Sequence, residues 1–278
     1  MGLRRAMERD GVLRDLLNLA TRNRSLVLEM AKREIKDRYV QQVLGAFWAV
    51  FHPVVIVGVY MFIFMVVFKV KLEATGRSVM YDYSTYILSG LIPWLAMQEV
   101  MSKTCTVITS NVSLVKQVIF PIEVLPIKTT VATEVTQLVM FFLLTAYLAV
   151  TGRICSWMFL TVPVLVFLQF LLMCGIGMVL SVVGAYIRDT KDVIQVFSVT
   201  GIYVMPIFYL PAAVPGLFRP FLYLNPVSYM VWCYQDAICF GGFVHWWAWL
   251  AFAAMSAFML LCGMFLFRKA KAVMGSLL

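Results

Sequence analysis

Residues that could do chemistry are few in this chain, and they are scattered. Glu99 and Glu134 are carboxylates within otherwise apolar stretches, and Gln137 stands about one helical turn beyond Glu134. An ionisable group at such depth is costly unless it is paired or wetted, so two readings stand: a proton or ion pathway, or a polar contact between helices. His52 and His245 are isolated, and the six cysteines, at 105, 155, 174, 233, 239 and 262, have no metal-type spacing. They lie mostly in apolar segments and read as small core residues rather than a disulfide framework. There is neither a GxxxxGK[ST] phosphate loop nor a GxSxG elbow. The expectation is a chain with no catalytic residues, no metal and no cofactor of its own.

Composition says what such sparse polarity is embedded in. The 278 residues are 62% hydrophobic and 13% charged, with a mean hydropathy of +0.89, which excludes an ordinary soluble domain and fits a polytopic membrane protein. A net charge of +9 could suggest nucleic acid. The basic residues, however, sit mainly between the apolar runs, where the positive-inside bias places them, so no nucleic-acid partner is expected.

The stretch that organises the rest is KREIKDRYVQQVLGAFWAVFHP, residues 32–53. Its charges stop at Arg38, and from Gly45 to Phe68 there are none. At about 1.5 Å per residue that run reaches about 36 Å, enough to cross a hydrocarbon core of about 30 Å with some tilt. Five further spans follow, giving six in all at about 45–68, 84–101, 128–150, 157–187, 193–209 and 246–267. Gly90 and Pro93 are expected to bend the second. Near the inner end of the fourth, Gly177, Ser181 and Gly184 or Ala185 recur at a spacing that allows another helix to approach closely. Residues 1–44 carry 10 of the 23 Lys and Arg, and the segments that this topology puts inside carry 18 of them. Both termini are therefore expected in the cytoplasm. The first forty residues lack the apolar core of a cleavable signal, so the first span should remain as an anchor. The fold class is all-α.

Three segments between the spans stand out. Residues 11–31 place Leu13, Leu16, Leu17, Ala20, Leu26, Val27 and Met30 at helical spacing, which predicts an amphipathic helix lying in the cytoplasmic interface, with residues 1–44 as a cytoplasmic segment before the transmembrane domain. Between the second and third spans, Lys116 and Glu123 flank Val118, Ile119 and Phe120, and Pro121 and Pro126 bracket IEVL; this predicts a short helix and turn presenting an apolar knob beside charges. It could dock a partner or simply pack on its own bundle. The compact turn Arg188, Asp189, Thr190, Lys191, Asp192 joins the fourth and fifth spans. Before the last span, Pro211, Pro215, Pro220 and Pro226 break a region rich in Tyr, Trp and Phe whose only charges are Arg219 and Asp236. Short helices dipping into the outer leaflet are expected, as a pore mouth or as an aromatic belt.

The stretches REIKDRYVQQVLGAFWAVFHP, SGLIPW, LVKQVIFPIEVLPI, YIRDTKDVIQ and LNPVSYMV occur in that order over nearly the whole chain. Together they resemble the ABC-2 type permease family, in its branch exporting bacterial O antigen, capsule and teichoic acid. The resemblance implies a pair of such chains forming a pore in the inner membrane. Each chain would be moved by a separate ATPase subunit that holds ATP and Mg, two copies per complex, and the cargo would be an undecaprenyl-linked polysaccharide. It further implies that Lys116, Val118, Ile119, Phe120, Pro121 and Glu123, with Arg188, Asp189, Lys191 and Asp192, receive the ATPase's motion alongside the N-terminal helix. The outer gate would involve Pro211, Pro215, Arg219, Asn225, Pro226 and Asp236. A conduit for sugar would favour aromatic faces and a few hydrogen-bonding groups, for which Tyr60, Trp94, Glu134, Tyr203 and Tyr209 are candidates. The competing functions are export of a drug or lipid on the same scaffold, and ion-coupled secondary transport through Glu99 and Glu134. Against the latter, no pair of interrupted segments repeats in the two halves.

Overall fold

A computed structural model describes residues 21–38, 47–67, 83–116, 120–152, 156–211 and 214–277. Among these residues every regular element is helical. In chain order they are α1 (Arg24–Asp37), α2 (Phe47–Met61, continued by a π turn over Phe62–Val67), α3 (Tyr83–Thr104), a short α4 (Val112–Val115), α5 (Val124–Val150), α6 (Val162–Tyr186), α7 (Thr190–Val204), α8 (Arg219–Leu224), α9 (Pro226–Gln235, continued by a π turn over Asp236–Phe240) and α10 (Trp246–Leu277).

Three stretches are long and apolar enough to cross a membrane: Val124–Val150, Trp157–Tyr186 and Trp246–Lys271. They correspond to the third, fourth and sixth expected spans. The helix at the second, α3, has 22 residues and is buried on nearly every face. It touches α5, α6, α7 and α9, so its Ser84, Thr85 and Ser89 meet protein and its surface need not be apolar.

Several boundaries differ from expectation for local reasons. Helix α5 starts at Val124, four residues before its expected span, because Pro126 sits in the first turn, where the missing N–H would have had no partner. Helix α7 stops at Val204 rather than 209, since Met205 precedes Pro206 and takes an extended conformation, φ −75° and ψ 149°. Helix α10 runs ten residues beyond 267, past its basic cluster. The N-terminal helix begins at Arg24 after a turn over 21–23 and runs through the charged stretch from Lys32 to Asp37, as a helical approach to the first span requires, while residues 11–20 of the expected amphipathic helix lie outside the described residues.

Two apolar cores result. The larger is built on α3, α5, α6, α9 and the start of α10, with Trp94, Met97, Trp232, Tyr234 and Phe252 fully enclosed. The second lies at the other end of the bundle and gathers Val27 of α1, Val107, Ile108 and Val115 after α3, Ile122 and Leu125 at the start of α5, Met178 and Val182 of α6, and Met264 and Phe267 of α10. Helices α6 and α10 join the two as the most extensive helix pair, at a crossing where only glycine fits. A Cβ on Gly263 would lie 2.4 Å from the Gly175 carbonyl oxygen, and one on Gly175 would lie 2.4 Å from the Met259 backbone.

Candidate functional site

The second core carries the candidate coupling elements. Lys116 caps the C-terminus of α4 and is exposed, Phe120 packs partly onto the core, and Ile122 is buried. Pro121 is half-buried, whereas Val118 and Ile119 lie outside the described residues. Glu123 does not project freely beside the knob, because its carboxylate accepts from Lys271 Nζ at 2.6 Å and ties the start of α5 to the extended end of α10. Arg188, Asp189, Lys191 and Asp192 are all exposed at the α6–α7 turn. Asp192 lies in the first turn of α7, where the helix dipole favours a negative charge. This turn is fixed by a contact that admits only glycine, since a Cβ on Gly184 would fall 1.8 Å from the Cys105 carbonyl oxygen. The expected close approach at Gly184 is thus realised against the turn that follows α3.

A chain of charges fastens α1 to the same region. Val27, Ala31, Glu34 and Arg38 recur every three to four residues on one face of α1 or just past its end, and that face rests on protein. Arg38 Nη1 lies 2.7 Å from Glu99 Oε1 of α3, and Glu99 also receives Lys103 Nζ at 2.5 Å. Glu34 Oε2 takes Lys128 Nζ of α5 at 3.2 Å and the Thr129 hydroxyl at 3.2 Å. Glu99 is therefore engaged by two cations at the end of its helix. The charge pattern of α1 alone could not disclose this clamp, because its partners lie some sixty and ninety residues downstream.

At the opposite end, the backbone between α7 and α8 is irregular, and side chains satisfy it. Tyr86 of α3 donates to the carbonyls of Pro206 (3.3 Å) and Tyr209 (3.1 Å), Tyr83 donates to that of Phe208, and Gln235 Nε2 donates to that of Pro206 (2.9 Å). Protein cover of this kind is what non-helical backbone at membrane depth requires. Asn225 caps α9 through a bond from Val227 N at 3.1 Å. Asp236 is fully buried and closes the α9–α10 hairpin, accepting from His245 N (2.8 Å), His245 Nδ1 (2.9 Å) and Trp249 Nε1 (3.3 Å). Of the other outer candidates, Pro211 is half-buried, Pro215 and Arg219 are exposed, and Pro226 begins α9.

The aromatic candidates divide into two groups. Tyr60 of α2 and Tyr203 of α7 both stand against Phe208, with centroids 6.3 and 6.0 Å away, and Tyr203 is 68% exposed. Tyr209 is half-buried beside them and donates to Val204 O at 2.8 Å. Trp94 is enclosed instead, its ring against Phe197 and over Gly201.

Midway along the bundle lies a polar knot that sequence reading reached only through Glu134 and Gln137. Gln137 Nε2 of α5 donates to Gln169 Oε1 of α6 at 2.8 Å, Gln169 Nε2 donates to the Pro93 carbonyl of α3 at 2.9 Å, and Tyr234 of α9 donates to Gln169 Oε1 at 2.7 Å. Gln169 had a signal, an amide alone in a 25-residue apolar helix, which must find a partner at that depth. Among the described residues no group of three or more His, Cys, Asp or Glu could hold a metal, and of the five free cysteines four are buried while Cys262 is partly exposed.

A family model described as "ABC-2 type transporter" matches residues 25–239. Among similar proteins, "O-antigen export system permease protein RfbA" of Klebsiella pneumoniae is 22% identical over 213 residues, 76% of this chain and 79% of that protein. A protein of the same name from Myxococcus xanthus is 23% identical over 215 residues, with the same coverage. "Polysialic acid transport protein KpsM" of Escherichia coli is 22% identical over 213 residues, 74% of this chain and 78% of that protein.

Proposed function

The chain belongs to the ABC-2 type transporter family, and from that premise we propose that it is the permease subunit of an exporter of lipid-linked cell-surface polysaccharide in the bacterial inner membrane. In this reading the three long apolar helices, with α2, α3 and α7, make six spans. Two copies form the conduit, and two copies of a separate ATPase move it. The sequence has no GxxxxGK[ST] phosphate loop, and in this reading the work of ATP arrives mechanically from the separate subunit.

One observation carries the proposal: α1, Val115 and Phe120 to either side of 117–119, and the end of α6 that leads into the Arg188–Asp192 turn share a single core, cross-braced by the Arg38–Glu99, Glu34–Lys128 and Glu123–Lys271 pairs. A push on any of these elements is delivered to α5, α6 and α10 together. Along their lengths α2 and α7 carry exposed apolar faces, Val55, Val59 and Phe62 on one and Val193, Val196 and Val199 on the other. The Tyr60–Phe208–Tyr203 ladder links their outer ends. A second copy would cover those faces, and the ladder offers ring faces suited to pyranose stacking. The names of the relatives point to the same class of cargo.

The test has two parts. Lys116→Glu, at an exposed residue and made with the partner ATPase co-expressed, should sharply reduce co-purification of the ATPase while the permease keeps its thermal transition; a complex recovered undiminished would sink the coupling role. In a strain lacking the permease, polysaccharide on its lipid carrier should accumulate inside the cell. Drug hypersensitivity with normal surface glycan would instead assign the scaffold to small amphiphiles.

A further inference from the structure

The polar knot at mid-bundle leaves a donor missing. Glu134 lies ten residues into α5, about 15 Å along it. Both carboxyl oxygens are out of contact with solvent and have no hydrogen-bond partner among the described residues, and the same is true of Gln137 Oε1. Three oxygen acceptors are therefore enclosed within about one helical turn of one another.

The donors of the knot itself are already committed. Gln137 Nε2 serves Gln169, Gln169 Nε2 serves the Pro93 carbonyl, and the Tyr234 hydroxyl serves Gln169 Oε1. On α5 itself the Thr133 hydroxyl is buried without a partner, and its single proton could not serve three acceptors. Among the described residues no ion pair reaches Glu134, and the titratable groups that sense its charge are the Cys174 thiol of α6 and the Tyr234 hydroxyl of α9, both acids. The basic residues of α5's neighbourhood, Arg38 and Lys128, are spent on Glu99 and Glu34 at the end of the bundle. An ionised, unpaired carboxylate enclosed in this way is strongly disfavoured.

We infer that Glu134 is a proton-binding site, held as a neutral carboxylic acid whose O–H donates to Gln137 Oε1. The bound proton completes the series Glu134, Gln137, Gln169, Pro93, with Tyr234 joining at Gln169. In doing so it fastens the C-terminal end of α9 to α3, α5 and α6. Glu134 is thus a positioning residue that orients the Gln137 amide. This goes beyond the transport reading and stands or falls independently of the cargo.

The test uses the purified full-length protein in nanodiscs at neutral pH. Difference infrared spectra of wild type against Glu134→Gln should show the carbonyl stretch of a protonated carboxyl that is present in wild type, absent in the variant and unaffected by exchanging sodium for potassium. Gln137→Leu should keep that band but move it toward the frequency of an acid without an acceptor. Glu134→Gln should melt with wild type, because its amide N–H replaces the donor, whereas Glu134→Ala should melt lower. A carboxylate band in place of the acid band would overturn the assignment, as would an unshifted acid band in Gln137→Leu. A melting temperature that rises with added sodium or potassium would give the site to a metal cation instead. Failure of Glu134→Gln to fold, or its melting as low as Glu134→Ala, would equally refute it.

Discussion

At the scale of single residues, the molecule depends most on places where a side chain has no room or no substitute. Gly184→Ala would put a methyl group 1.8 Å from the Cys105 carbonyl, a backbone atom that cannot swing aside. It should lower stability by about 3 kcal/mol, the upper end for overpacking, measured as a fall in thermal transition. Gly58→Ala on α2 meets nothing within 4 Å and should stay within about 0.5 kcal/mol of wild type. A drop of equal size in both variants would show that helix packing is not the cause. Asp236→Ala leaves the His245 and Trp249 donors without their buried acceptor and should cost about 1–3 kcal/mol, the range for buried groups left unsatisfied. Asp236→Asn should recover part of it through the amide oxygen. The small-residue spacing on α6 was legible in the sequence, as Gly184 shows. Gly175 against Gly263 was not, because the meeting of two distant helices leaves no local pattern in either.

Among elements, the N-terminal helix gains most from three dimensions. Its sequence periodicity describes an amphipathic surface helix, which accounts for Val27 and Ala31. The next members of the same stripe, Glu34 and Arg38, break that apolar pattern and would be assigned to solvent on sequence grounds. They turn inward because Glu99, Lys128 and Thr129 await them. Such a clamp makes a measurable claim. In a double-mutant cycle of Arg38→Ala and Glu99→Ala, the coupling energy from thermal or denaturant unfolding should be about 0.5–3 kcal/mol, as for residues within one charged network. The same cycle read in export should show each single variant impaired alike. Strictly additive losses would mean that α1 is held by its apolar contacts alone. Helix boundaries were the least legible feature, and prolines account for the errors in both directions: Pro126 fits within a first turn and lengthens α5, while Pro206 acts on the residue before it and shortens α7.

For the whole molecule, charge asymmetry and tertiary packing bear on one question by independent routes. The excess of Lys and Arg between alternate spans argues that both termini lie in the cytoplasm. Packing argues, without reference to charge, that the two ends of the described chain are together: Val27 of α1 and Phe267 of α10 are buried in one core, and Lys271 reaches Glu123. Both routes lead to the expectation of an even number of crossings between α1 and the end of α10, whatever the status of α2, α3 and α7 one by one. Single-cysteine variants at Arg24 and Lys269, both exposed, should therefore react with a membrane-impermeant thiol reagent only in inside-out vesicles. Phe218→Cys, exposed beside α8, should react only in right-side-out ones. If Arg24 and Lys269 labelled from opposite faces, the second core could not exist and the mechanical route from the ATPase would go with it. If both labelled from the outside, the core would stand but the Lys116–Glu123 and Arg188–Asp192 elements would face away from any source of ATP.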